Sequence, residues 1–205
     1  MRQKTIPHPV PGAKRSQQGA SLIIVLIVLT IVSLLGVAGI QVSMMSERGA
    51  RNDRDMQLAW QSAEAGLVDA EFDLFGTTGL VSTRSATFKP AINLTLFADG
   101  CGIGTNAGLC SLVSSGKPAW LTVPFTVTGS AAQSAFYGQF TGRSFAAGAL
   151  GIQPAAIPRY VIEAIRDPGD RDTGSLDGQY VYRVTAMGFG PRTDVQAVLQ
   201  MIYRN

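Results

Sequence analysis

Histidine is almost missing. The 205 residues hold one, His8, close to the start of the chain. Histidine-based acid–base catalysis and most zinc coordination therefore lack their usual side chain. Cysteine is scarce too: two residues are too few for a disulfide-dense scaffold. Charge is low, at 15 % of residues, and 17 basic against 14 acidic groups leave a formal +3. An acidic disordered chain and a strongly basic nucleic-acid binder are both incompatible with those figures. HExxH, a Walker glycine loop and a histidine placed for a triad are all missing. Gly102-x-Gly104 matches a fragment of a nucleotide loop, but no βαβ pattern surrounds it. Two further absences are local: no charged residue from Ser16 to Ser46, and no proline from Ala13 to Lys89.

What fills the uncharged stretch is aliphatic. Leu22 to Ile40 is broken only by Thr30, Ser33, Gly36 and Gly39. Nineteen helical residues span about 28 Å, close to the ~30 Å hydrocarbon core of a bilayer, which predicts a membrane helix rather than a buried core helix. Arg2, Lys4, Lys14 and Arg15 precede it with no acid among them. The positive-inside rule puts that end in the cytoplasm and everything after Ile40 outside. Pro7, Pro9 and Pro11 keep the leader extended. A cleaved secretory signal is the alternative: its apolar region is usually shorter, yet Gly36-Val37-Ala38 fits a small-x-small cleavage site.

Helix-compatible sequence continues to about Phe75, where Gly76 is a stop. A helix from Ser21 to Phe75 would be about 80 Å long. Met56, Trp60, Ala63, Leu67, Ala70 and Leu74 recur at spacings of 4 and 3, which predicts an apolar seam against a sheet. Asp53, Asp55, Glu64, Asp69, Glu71 and Asp73 lie between them and are expected to solvate the other face.

Gln18-Gly19-Ala20-Ser21-Leu22-Ile23-Ile24-Val25, with basic residues before it, resembles the class III signal of type IV pilins. Leu34-Leu35-Gly36-Val37, Glu47-Arg48, Asp53-Arg54-Asp55, Ala59 and Ala63-Glu64-Ala65-Gly66-Leu67 with Ala70-Glu71 resemble the N-terminal region of PilX-type minor pilins. Val198-Leu199-Gln200-Met201-Ile202-Tyr203-Arg204 is similar to the last strand of that family. The resemblance implies cleavage between Gly19 and Ala20 by a prepilin peptidase, and methylation of the new N-terminus. It also implies helix–helix assembly contacts along Ala20 to Ile40, with Leu22, Ile24, Ser33, Gly36 and Gly39 in the contacting stretch. Small residues there allow close helix approach. Most pilins carry glutamate at the fifth mature position; here that position is Ile24. A carboxylate inside the bilayer costs at least about 2.5–3.5 kcal/mol without a partner, so a chain without it cannot make the subunit-to-subunit bond it serves. That departure implies a place at or near the filament tip.

The remainder reads as a head. Export to an oxidising compartment predicts a disulfide between Cys101 and Cys110. Thr122 to Val127 is a candidate edge strand. Tyr160 to Ile165, Gln179 to Met187 and Asp194 to Tyr203, rich in Val, Ile and Tyr, predict an antiparallel meander covering the seam of Met56, Trp60, Ala63, Leu67 and Leu74. The Asp167–Gly178 loop carries four aspartates. It reads as a solvated turn, with calcium the alternative, although the EF-hand pattern is missing. The expected fold is an α+β lollipop: leader 1–19, membrane and filament half-helix 20–40, amphipathic half-helix 41–75, head 76–205.

The resemblance implies a structural minor pilin and no enzyme, with no cofactor and no nucleic-acid partner. It helps start a type IV pilus, sits at or near the tip, and supports adhesion and twitching motility. Implied partners are other minor pilins, the major pilin, a large tip adhesin, the prepilin peptidase and the inner membrane. A K-type pseudopilin of type II secretion, usually carrying a larger helical insertion, and a single-span or secreted periplasmic binding module are the alternatives. Cleavage at Gly19 would remove four of the seventeen basic residues and no acid, leaving thirteen against fourteen. The apparent basicity then reports membrane orientation rather than an anionic partner.

Overall fold

The computed structural model describes residues 20–76, 79, 81–89, 91–148, 151–167, 169 and 179–204. A single helix, α1, runs Ala20–Phe75. The chain divides into two compact units between Ala50 and Arg51. In the first, every described side chain of α1 is exposed.

The second unit contains the rest of α1 and the head. Helix α1 ends where Gly76 takes φ +64, a left-handed conformation that suits glycine, and its N–H donates to Phe72 O at 2.9 Å. Strands β3 (Arg159–Arg166), β4 (Tyr180–Phe189) and β5 (Gln196–Arg204) form the expected antiparallel meander. Registers Ile162↔Val184 and Val184↔Met201 tie the three together. Two short strands join the far edge of β3: β1 (Leu109–Cys110) pairs parallel to it and β2 (Ala135–Phe136) antiparallel. The class is thus α+β, a long N-terminal helix followed by a mixed, largely antiparallel sheet.

Thr122 to Val127 is not a strand. Pro118 caps a short helix, α2 (Ala119–Thr122), and Val123 N–H closes it on Ala119 O at 2.9 Å. Val123 and Phe125 then turn inward to Cys101, Cys110 and Val161. Alternate residues of β3 thus enter two cores. Tyr160, Ile162 and Ala164 meet Leu67, Ala70 and Leu74 of α1, while Val161 faces the opposite cluster. Full burial of Ile162, Val184 and Leu74 contributes roughly 1.5–3 kcal/mol each.

The seam on α1 differs from the expected one. Ala63, Leu67 and Leu74 are buried, but Met56 is 44 % and Trp60 51 % exposed. Small residues set the contact: Ala59, Ser62, Ala63 and Gly66 are buried, and Gly66 faces Ala186 of β4. Gly188 of β4 lies so close that a Cβ there would fall 2.1 Å from Ala63 N and 2.3 Å from Ala59 O. A large side chain on this line would prop the helix off the sheet. Trp60, one residue and about 100° round from Ala59, is left on the flank, where its Nε1 donates to Glu64 at 2.9 Å.

The Asp167–Gly178 loop lies almost wholly outside the described residues. Asp167 itself is buried rather than solvated, and accepts from Gly169 N–H at 2.8 Å and Arg204 Nη2 at 3.0 Å.

Candidate functional site

The first unit offers an apolar helix with no core of its own. Leu22 is 70 % exposed and Ile24 60 %, and the apolar stretch of this helix is not buried within the chain. Two hydroxyls in the apolar run are satisfied locally. Thr30 Oγ1 donates to Ile27 O at 2.8 Å, and Ser33 Oγ to Leu29 O at 2.8 Å. The two hydroxyls inside the Leu22–Ile40 run therefore have acceptors within the helix and present no unpaired donor to an apolar surrounding. A Cβ at Gly36 or Gly39 would meet nothing within 4 Å, so packing inside this chain does not demand their small size. Gly19 lies outside the described residues, and Ala20 begins the helix.

In the head, Met56, Trp60 and Val68 follow one exposed line of α1 at helical spacing. Cys101 and Cys110 are joined by a disulfide with Cα atoms 4.0 Å apart. It lies beside Val161, Val123 and Phe125 and pins the 101–110 loop under the sheet.

Sequence reasoning missed a buried ionic centre. Asp69 and Asp73, expected on the solvated face, are both 0 % exposed. Asp73 accepts from Ser82 Oγ at 2.6 Å, Tyr160 Oη at 3.0 Å, and Arg84 Nε and Nη2. Arg84 also donates Nη1 to Ala107 O at 2.7 Å and stacks 3.6 Å from the Phe140 ring centroid. Burial, followed by the charge of Asp73, pushes the Tyr160 phenol well up, so it remains a donor. Asp69 accepts from Gly138 N–H at 2.7 Å and Thr141 Oγ1 at 2.6 Å, with Arg143 Nη1 at 3.5 Å. Burial outweighs those donors and raises the Asp69 carboxyl above its ordinary range. The signal was present in the sequence. Asp69 and Asp73 continue the 59-62-66 stripe at spacings of 3 and 4, and acids on a buried stripe require donors from elsewhere in the chain. The carboxylates are occupied by those donors, so they clamp the 82–84 and 138–143 loops to α1.

An exposed apolar N-terminal helix joined in sequence to a helix-on-sheet head defines a pilin-like protein. The chain belongs to the PilX family: residues 18–68 match the PilX N-terminal region, and residues 106–205 match the type IV pilus assembly protein PilX C-terminal region. Comparison with curated proteins and with solved structures finds no match. The family makes this a type IV pilus minor pilin with a role in assembly, which works with other pilus components. The apolar helix fits a membrane anchor.

Proposed function

We propose that this minor pilin helps initiate type IV pilus assembly and occupies the pilus at or near its tip, where it supports adhesion and twitching motility. The observation that carries the reading is Ile24. It stands 60 % exposed on an apolar helix in a run without a charged residue from Ser16 to Ser46. A subunit without a carboxylate there offers no intramembrane partner for a neighbour's cationic N-terminus. Before assembly the protein sits in the inner membrane with its N-terminus in the cytoplasm and its head in the periplasm. The prepilin peptidase cuts between Gly19 and Ala20. Leu22, Ile24, Ser33, Gly36 and Gly39 then face neighbouring helices, and Met56 and Trp60 are available for lateral contacts. Other minor pilins, the major pilin and a large tip adhesin are the partners, and the role is structural, without a cofactor.

Mass spectrometry of the mature N-terminus tests this directly. A methylated Ala20 is the expected species, and Gly19→Phe should leave the precursor uncut. A mature start at Gly39 would refute the pilin processing. Gold labelling of sheared pili should concentrate at one end, whereas uniform labelling along the filament contradicts the tip position.

A further inference from the structure

On the sheet face that carries Val161, the 125–129 segment, β2, residues 156–157 and the β4–β5 turn enclose a cleft of about 620 Å3. That is within the size range of small-molecule sites, about 300–1,000 Å3. Phe125, Phe136, Ile157 and Phe189 form its apolar walls. One cation reaches it. Arg159 is only 6 % exposed, and its Nε and Nη2 donate to Ser134 Oγ and Ser134 O, both at 2.8 Å. Those two bonds fix the guanidinium beside the Phe136 ring, 5.9 Å from its centroid. Nη1 has no hydrogen-bond partner among the described residues.

Arg159 differs from the other inward arginines of the head. Arg84 has Asp73, Arg143 has Asp69 and Arg183 has Glu163. No described carboxylate lies within 4 Å of Arg159. Asp194 stands on the rim, but it is exposed, and Arg192 takes both its oxygens at 3.1 and 3.0 Å. A charge removed from water without a counter-charge is costly, and burial accordingly lowers the affinity of Arg159 for its proton. A cation so placed at an apolar cleft is matched by an anion with an apolar body. Two N–H groups on Nη1 and one on Nη2 are left to donate, and with a single cation at the cleft a singly charged carboxylate is neutralised where a phosphate or sulfate dianion would keep an unpaired charge.

We propose that this cleft binds a small apolar carboxylate, whose oxygen accepts from Arg159 Nη1 while its hydrocarbon or aromatic body lies among Phe125, Phe136, Ile157 and Phe189. The site is independent of pilus position and processing. The test uses the full chain in lipid nanodiscs and fluorine NMR, with empty nanodiscs as the correction for partitioning. The probe is 3-[4-(trifluoromethyl)phenyl]propanoate, compared with the corresponding alcohol and amine. Saturable binding of the carboxylate is expected, about tenfold or more tighter than the alcohol, the ratio for a charge-assisted hydrogen bond. Arg159→Leu should bring the carboxylate down to the level of the alcohol. Ile157→Trp, which fills the cleft and leaves the arginine in the chain, should abolish binding of both. Equal binding of carboxylate and alcohol by the wild-type chain would overturn the proposal. So would the absence of saturable binding, or undiminished carboxylate binding in Ile157→Trp.

Discussion

Arg84 and Asp73 show how much a single position can carry. Their side chains are 7 % and 0 % exposed, and every oxygen of the carboxylate is engaged. Replacing Arg84 by Met leaves an uncompensated buried carboxylate and should cost about 3–5 kcal/mol in chemical denaturation. Arg192→Ala, which breaks the exposed pair with Asp194, should cost no more than about 1 kcal/mol. Asp69 adds a pH signature. Its folded-state carboxyl titrates above the ordinary range, so the folded chain holds that proton more tightly than the unfolded chain. Its contribution to stability therefore falls as pH rises from the ordinary carboxylate range through the raised value, and is flat above it. Asp69→Asn cannot titrate and keeps an acceptor for Gly138 N–H in its side-chain oxygen. The stability of wild type relative to Asp69→Asn should rise on acidification through that window and stay constant above it, as read by denaturant midpoints across pH. Burial raises the Tyr203 phenol to about 12, and it donates to Leu67 O at 3.1 Å.

At the scale of elements, the contact between α1 and β4 depends on small residues rather than on large apolar ones. Gly188→Ala drives a methyl into the helix backbone at Ala59 and Ala63 and should unfold the head or lower its thermal midpoint sharply. Trp60→Ala removes a larger side chain from an exposed flank and should shift the midpoint little, within the range of ordinary surface changes. The contrast also marks what the sequence makes legible. Helix α1 and the meander of β3, β4 and β5 announce themselves by length, aliphatic content and alternation. Strands β1 and β2, two residues each, carry no period and exist because the edge of β3 offers them partners. The Met56 and Trp60 positions satisfy a 3–4 spacing, yet spacing does not reveal that the facing strand presents a glycine. Nor does it say which loop will supply Arg84 to Asp73. Arg159 was invisible for the same reason: its isolation is defined by which acids the tertiary fold leaves out of reach.

Across the whole molecule, the disulfide and the ionic centre divide the work of holding the middle segment. Cys101→Ser with Cys110→Ser frees the short 101–110 loop and should cost on the order of 2–3 kcal/mol, seen as a lower denaturation midpoint that reductant reproduces in the wild type. The clamps from Asp69 and Asp73 remain in that variant, so the head should still fold. The contacts between α1 and the sheet have a further consequence, in time rather than in energy. Ser62 meets Phe189 across 127 residues of chain, and Leu67 meets Tyr203 across 136. During synthesis α1 is made first, yet the strands that cover its buried stripe come last. Until they arrive, the strip of small residues at Ala59, Ser62, Ala63 and Gly66 waits without its cover from β4, and closure of so long a loop is intrinsically slow. A chain stalled before β5 should be cut by protease throughout its head, whereas the finished chain resists. The helix is therefore ready for its neighbours well before the head has a defined surface to show them.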